Sequence, residues 1–492
     1  MSVEPAAREM RCFGASGQLG YGIPRAAYLR GLEQGPAYVG CDMGSTDPGP
    51  YFLGAGEPAT GYASRRADLE LVLTTARERR LPLLIGSAGT AGGEPHLADT
   101  VDIVRTIAAE HGLRFRMAVI HSEIDRDFVL DRLRKGRIGP CGRVPALTEQ
   151  DVEQSVRIVG QMGVEPFIKA LDAGADVIVA GRSCDTSIFA AMPIRSGFDP
   201  GLAMHQAKLI ECASACADPG GRDAAIAYLR DDHFLIESQN PARRCTPVSV
   251  AAHSLYEQPD PYRVYEPGGM LDLRECRYET VDERITRVSG SRWVPAPEYT
   301  IKLEGVAHVG YRAFAMGGTC DPIFIEHLDE TAAAVRGIVA GVFPKLAEGR
   351  EYRLRFRTYG RNGVMGEIDP EPAGRPHEAF VIMDVVAESA DLAHSVCGVA
   401  KQYFLHYFYD GIVATAGNIA IPFGPDVIPG GAVYRFNVYH LVTVDDPCEL
   451  FPMELVDVTG GPEMAPHPPQ RSAAPRGTRG APRGPERRRS HA

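Results

Sequence analysis

Over the first two hundred residues, apolar and polar positions alternate between two regimes. Short continuous apolar runs occur at Ala37–Asp42, Pro82–Ile85, Phe115–Ile120 and Asp176–Ala180, each followed by a glycine or a polar turn. Segments of helical period lie between them. In Asp68–Arg80, Leu69, Val72, Leu73 and Ala76 share one stripe opposite Arg77, Arg79 and Arg80. Leu97–His111 repeats the pattern, Asp125–Lys135 predicts a helix capped by Asp125, and Glu165–Ala173 predicts another. Continuous apolar strands separated by helices predict parallel pairing, buried on both faces, with right-handed crossovers. The expected unit over residues 10–218 is a layered α/β domain with a mainly parallel sheet. From residue 219 the pattern changes. Ala224–Tyr228, Phe234–Ile236, Tyr299–Leu303, His308–Phe314, Arg353–Thr358, Ala379–Val386 and Val433–Leu441 read as strands, and Ala390–Tyr407 as one long helix. An α+β unit is expected over 219–458. Residues 459–492 are rich in Pro, Arg and Gly and are expected to be disordered.

Composition narrows the class. A chain of 492 residues that is 44% hydrophobic and 23% charged is neither fibrous nor disordered, and it is too long for one core. The net charge is −11, and residues 460–492 hold seven Arg against two Glu, so the body is more acidic still. Such a body suits neither nucleic acid nor anionic lipid. No apolar run approaches the ~20 residues of a membrane span. The first ten residues are polar with two Glu, which predicts no signal peptide. Eleven Cys, an odd number with no C-x-x-C pair, read as reduced thiols. The expectation is a soluble, cytoplasmic protein.

In parallel α/β folds, ligands bind outside the carboxyl ends of the strands. Four loops qualify: Asp42–Asp47, Gly86–Gly93, His121–Glu123 and Gly181–Thr186. In Gly86–Gly93, successive small residues can aim backbone N–H groups at an anion. Ser87, Gly89 and Thr90, with Ser45 from the first loop, are the candidate anion-binding residues; a tight strand–helix turn is the alternative. The loop lacks the Gly-Lys-Ser/Thr of an ATP site, and Gly14–Gly22 does not fit the G-x-G-x-x-G of an NAD site. Arg182 offers a planar fork for a carboxylate, with Asp185 as a base, or the two pair internally and order the loop. His205, Lys208, Glu211 and Cys212 fall roughly on one face of a helix expected over Met204–Ala215, suited to proton transfer or to solvent. Arg182, Asp185, Glu123 and His205 are the candidate catalytic residues. Asp42, Asp47, Glu123 and Asp185, or Asp231, Asp232 and His233, would suit magnesium or manganese if they converged. Arg361 and Asn362 could close over a ligand, or form a plain turn.

Several long runs are distinctive: CDMGSTDPGPYFLGAGEP, LPLLIGSAGTAGG, ADVIVAGRSCDTSIFAAMPIRSGFDPGLAMHQAKLIECASACA, DDHFLIESQNP, CTPVSVAAHSLYEQPDP, YTIKLEGVAHVGYR and VYRFNVYHLVTVDDPCELF. Through them the chain resembles the acyclic terpene utilisation AtuA-like family, from about residue 10 to 455. The resemblance implies breakdown of acyclic terpenes such as citronellol and geraniol through acyl-CoA intermediates, close to organic-acid metabolism. It carries over no set of catalytic residues. The expected protein is a lyase (hydratase) or isomerase acting on a small carboxylate or acyl-CoA. The alternative is a non-catalytic accessory or ligand-binding subunit of an acyl-CoA-processing complex. A homo-oligomer or a small partner subunit is consistent with either.

Overall fold

The computed structural model describes residues 8–368, 374 and 376–460. From 461 on, the Pro/Arg/Gly-rich tail lies outside the described residues.

A ten-stranded sheet organises the fold. Its strands run, edge to edge, Arg277–Thr280, Ile285–Ser289, His233–Ser238, Ala225–Leu229, Met10–Gly14, Val39–Asp42, Leu83–Gly86, Val177–Ala180, Arg114–Ile120 and Met453–Thr459. The five from Met10–Gly14 to Arg114–Ile120 pair in parallel. Antiparallel strands flank them on both sides. The α/β reading therefore holds, with the parallel character confined to the centre. The reason lies in burial. Every residue of Val39–Asp42, Leu83–Gly86 and Val177–Ala180 is buried, and apart from the terminal Asp42 these strands are apolar. On the flank, His233–Ser238 alternates half-buried with buried residues. The strands Ala225–Leu229 and His233–Ser238, expected after the change at 219, continue this first sheet.

Helices cover both faces. One core gathers Tyr28, Leu73, Val104 and Ile107, and the other gathers Phe167, Phe189 and Ile210. Asp125 caps the helix Arg126–Arg134 by accepting the N–H of Asp127, as its position predicts. The helix expected over Met204–Ala215 is instead Pro200–Ile210. Glu211 ends it, and Ala213, at φ +51°, starts a separate short turn.

A second sheet has six strands, with Thr300–Thr319 at its centre. Ala379–Ala387 and Ser155–Gly160 flank this strand on one side and Ile428–Thr443 on the other. Helices Leu328–Val342 and Ala390–Leu405 pack on one face. Thr300–Thr319 replaces the two strands expected at Tyr299–Leu303 and His308–Phe314. Register shifts at Gly305/Val306, His308/Gly310 and Arg312/Ala313 break its alternation, so one strand reads as two. Gly310, at φ +151°, occupies the second of these. A small sheet, Arg263–Glu266, Gly269–Asp272 and Arg292–Pro295, completes the strands that matter for the site. No described helix is long and apolar enough to cross a membrane.

Candidate functional site

The four loops converge at the carboxyl end of the parallel strands. The first contact is between backbones: a Cβ on Gly92 would lie 2.1 Å from the Arg182 nitrogen, and Gly92 sits at φ +70°. Only glycine fits there. Ser122 Oγ joins the same two segments, donating to the Gly92 carbonyl (2.7 Å) and accepting the Arg182 N–H (2.6 Å).

Arg182 is 3% exposed. Its Nε donates to Glu304 Oε2 at 2.8 Å, and its Nη1 donates to Ser87 Oγ and Asp185 Oδ1, both at 3.2 Å, and to the Ser183 carbonyl. Nη2 has no acceptor among the described residues. Glu304 comes from the long strand of the second sheet. Its other oxygen takes Lys302 Nζ at 2.8 Å. Burial alone would raise the Glu304 carboxyl, but the charges of Arg182 and Lys302 overrule it and hold it at about 2.

Four other carboxyls in this cluster are pushed the opposite way. Asp42 ends the strand Val39–Asp42, and its Oδ2 accepts the Gly44 N–H at 3.2 Å. Its Oδ1 is buried without a partner among the described residues. Burial, then the charge of Asp185, pushes Asp42 well above the usual carboxylate range. Burial raises Asp185 against the pull of Arg182. Glu211 is raised well above its ordinary value by burial, against the pull of Lys208, and the charges of Asp185, Glu266 and Asp42 push it further. Glu266, from the small sheet, accepts the Cys184 thiol at 2.5 Å and is raised by burial. Five carboxyls thus face three cations, Arg182, Lys208 and Lys302. With acids in excess of bases, burial and mutual repulsion favour the neutral form of the four raised carboxyls.

The remaining candidates have other positions. Ser87 is fully buried and braces Arg182, while Thr90 Oγ1 accepts the Ala59 N–H at 3.0 Å. Gly89, at φ +59°, packs on His96. The hydroxyls of Gly86–Gly93 are thus spent on holding the loop. Ser45 bonds Asp47 within its own turn. Glu123 accepts the Glu94 N–H at 2.9 Å and lies 3.6 Å from Arg157, and burial raises its carboxyl. His205 is not brought to the cluster. It is fully buried, Ser291 and Ser254 occupy its two ring nitrogens at 2.7 and 2.8 Å, and burial pushes it down to about 3.

Asp42, Asp47, Glu123 and Asp185 do not meet as a ligand set. Among the described residues, only Glu70, Glu110 and His111 bring three such atoms within 4.8 Å. That trio lies on the surface, where Arg66 pairs with both glutamates. Asp232 is exposed and bonds His233. The glycine loop Gly14–Gly22 already holds an anion of its own: Asp68 accepts the N–H groups of Gly20, Gly22 and Ile23 at 2.7–3.0 Å. Arg361 pairs with Asp329, inside the second unit. A cavity of about 480 Å³, lined in part by Gly318, Cys320, Tyr359 and Phe380, lies on the second sheet and not at the charged cluster.

Glu304, Lys302 and Glu266 were not among the residues expected from sequence. Lys302 and Glu304 did carry a signal, because they are charges two apart in an otherwise apolar strand, which places both on one face.

A family model described as acyclic terpene utilisation family protein AtuA matches residues 53–222 and 226–421. These stretches include Arg182, Asp185, Glu211 and Glu304 and leave out Asp42. No curated protein and no solved structure gives a match.

Proposed function

Since the chain belongs to the acyclic terpene utilisation AtuA family, we propose that it is an enzyme of acyclic terpene breakdown that moves protons on a small branched carboxylate or its CoA thioester. The reaction class is that of a lyase (hydratase) or isomerase. One observation carries this reading: at the carboxyl ends of the parallel strands Asp185 lies 3.2 Å from the buried Arg182, and Asp42 holds a buried oxygen, Oδ1, with no partner among the described residues.

The chemistry follows from that pair. Burial and the charge of Asp185 favour the neutral form of Asp42, so one member of the pair holds a proton while its neighbour is ionised. The ionised member takes a proton from a carbon beside the carbonyl. The neutral member protonates a departing hydroxyl, or returns a proton further along the chain. The first course removes water, its reverse adds water, and the second shifts a double bond. Positioned proton transfer of this kind contributes ~10²–10⁴-fold in rate. Arg182 Nη2, with no acceptor among the described residues, is available to a ligand oxygen, while Glu304 and Ser87 fix the rest of the guanidinium.

The test is thermal unfolding of the full-length protein with short branched carboxylates, their CoA thioesters and the matching alcohols. A ligand at ~100 times its Kd adds ~2.7 kcal/mol of stability. A shift with the acids or thioesters but not the alcohols supports the reading. A flat response with an intact unfolding transition overturns it. Binding without turnover would favour the accessory-subunit alternative.

A further inference from the structure

The helix Pro200–Ile210 is buried at every position from Gly201 to Ile210. A cation in such a helix needs a partner. Lys208 is 4% exposed, yet its Nζ makes no hydrogen bond among the described residues. Within 4 Å it meets a single carboxylate oxygen, Glu211 Oε1 at 3.8 Å, and the Tyr256 ring centroid lies at 4.6 Å. Glu211, one turn on and 8% exposed, has an oxygen, Oε2, buried with no partner among the described residues. His205 on the same helix shows the contrast, with both ring nitrogens bonded. An ammonium has three donors and no acceptor capacity, so Lys208 and Glu211 as they stand are incomplete. One ligand oxygen with two lone pairs would complete both, accepting from the ammonium and from the Glu211 carboxyl.

We infer that Lys208 and Glu211 form the carbonyl-oxygen subsite of this centre, holding the carbonyl or carboxylate oxygen of a branched acyclic substrate while Asp42 and Asp185 act on the neighbouring carbon. The inference rests on the proton-transfer reading above and adds the group that stabilises its intermediate. When a C–H bond beside the carbonyl breaks, the proton passes to the ionised aspartate. The bonding pair becomes a new C=C bond, and the C=O π pair moves onto oxygen. The resulting oxyanion faces the Lys208 ammonium and the Glu211 O–H, donors already in place in a water-poor site. In elimination the oxygen pair re-forms the C=O, the enolate C=C pair shifts to the α–β bond, and the β-hydroxyl leaves as water with the proton of the other aspartate. The helix Pro200–Ile210 packs on the helix Asp185–Arg195, which begins at Asp185, so the subsite and the proton-transfer pair belong to one region, where the charges of Asp185, Glu266 and Asp42 also act on Glu211.

The experiment is calorimetric titration of the full-length protein with 3-methylbut-2-enoate and with its CoA thioester, alongside thermal unfolding without ligand. Wild type is compared with K208M, E211Q and E211A. K208M should bind ~100-fold more weakly, the loss expected for a charged hydrogen bond. Its unfolding midpoint should stay at or above that of wild type, because the substitution removes a buried ammonium that makes no hydrogen bond among the described residues. E211Q still donates and should stay within ~3-fold of wild type, whereas E211A should lose ~10-fold or more. If K208M does not fold, the split between E211Q and E211A decides the matter. Wild-type affinity in K208M, or equal affinities in E211Q and E211A, overturns the subsite. A wild type that binds neither probe overturns the proton-transfer reading, and this inference with it.

Discussion

Replacing Glu304 with alanine is the perturbation whose cost can be worked most directly from the structure. Glu304 is 1% exposed and bridges Arg182 and Lys302, each at 2.8 Å. Removing one partner of a buried ion pair costs ~3–5 kcal/mol, chiefly because the other charge stays buried. Arg182 keeps Asp185 at 3.2 Å, and Lys302 is partly exposed, which places E304A near the lower bound. For about 450 residues unfolding as one unit, ~2.1 cal/mol/K per residue gives ~1 kcal/mol/K, so ~3 kcal/mol lowers Tm by ~3 °C. Urea unfolding followed by circular dichroism measures the free energy directly. The double variant R182M/E304A supplies the internal check. With both buried charges gone, it should lose at least ~1 kcal/mol less than the sum of the single losses. An E304A protein within ~0.5 kcal/mol of wild type, or strict additivity in the cycle, would refute the bridge as the support of the site.

Two further outcomes separate structural from chemical roles. H205A strips the partner from two buried serines and should cost ~2–4 kcal/mol of stability, with ligand affinity in calorimetry unchanged; lost affinity at full stability would contradict the packing role. Acid titration tests the bridge again. The folded Glu304 carboxyl sits at about 2, below its ordinary 4.5, so its contribution is complete above pH 4.5 and lost as pH falls toward 2. The stability gap between wild type and E304A should therefore close over that window in unfolding measurements, and a constant gap would contradict the depressed value.

The central strands were legible because burial on both faces leaves short continuous apolar runs, each closed by a glycine or a polar turn. The Asp125 cap was legible because the interaction is local. Arg182 and Asp185 were legible as a pair for the same reason, and the structure forms that ion pair while also setting it among distant charges. Those distant charges were not legible. Glu304 and Lys302 arrive 120 residues later in sequence, and Glu266 comes from a third sheet. Only tertiary packing brings them to Arg182. The helix carrying His205, Lys208 and Glu211 shows a different limit. At about 100° per residue, 205 and 208 lie about 60° apart and 205 and 211 about 120° apart. So wide an arc meets two environments: His205 faces the serines, and Glu211 faces the carboxyl cluster. The small-residue loop Gly86–Gly93 looks like an anion cradle because its glycines permit close approach. That approach is made by the protein's own backbone, at Arg182.

The central claim is that Asp42 and Asp185 move protons on a bound acyl substrate. Incubating the full-length enzyme with 3-methylbut-2-enoyl-CoA in D₂O and following deuterium uptake by NMR tests it most directly. The account predicts uptake with wild type at C2, through hydration and its reversal or through a double-bond shift, the shift also labelling the methyl groups on C3. It predicts a loss of ~10²-fold or more in D185N, with thioester affinity retained. No uptake by wild type, or undiminished uptake by D185N, would contradict it.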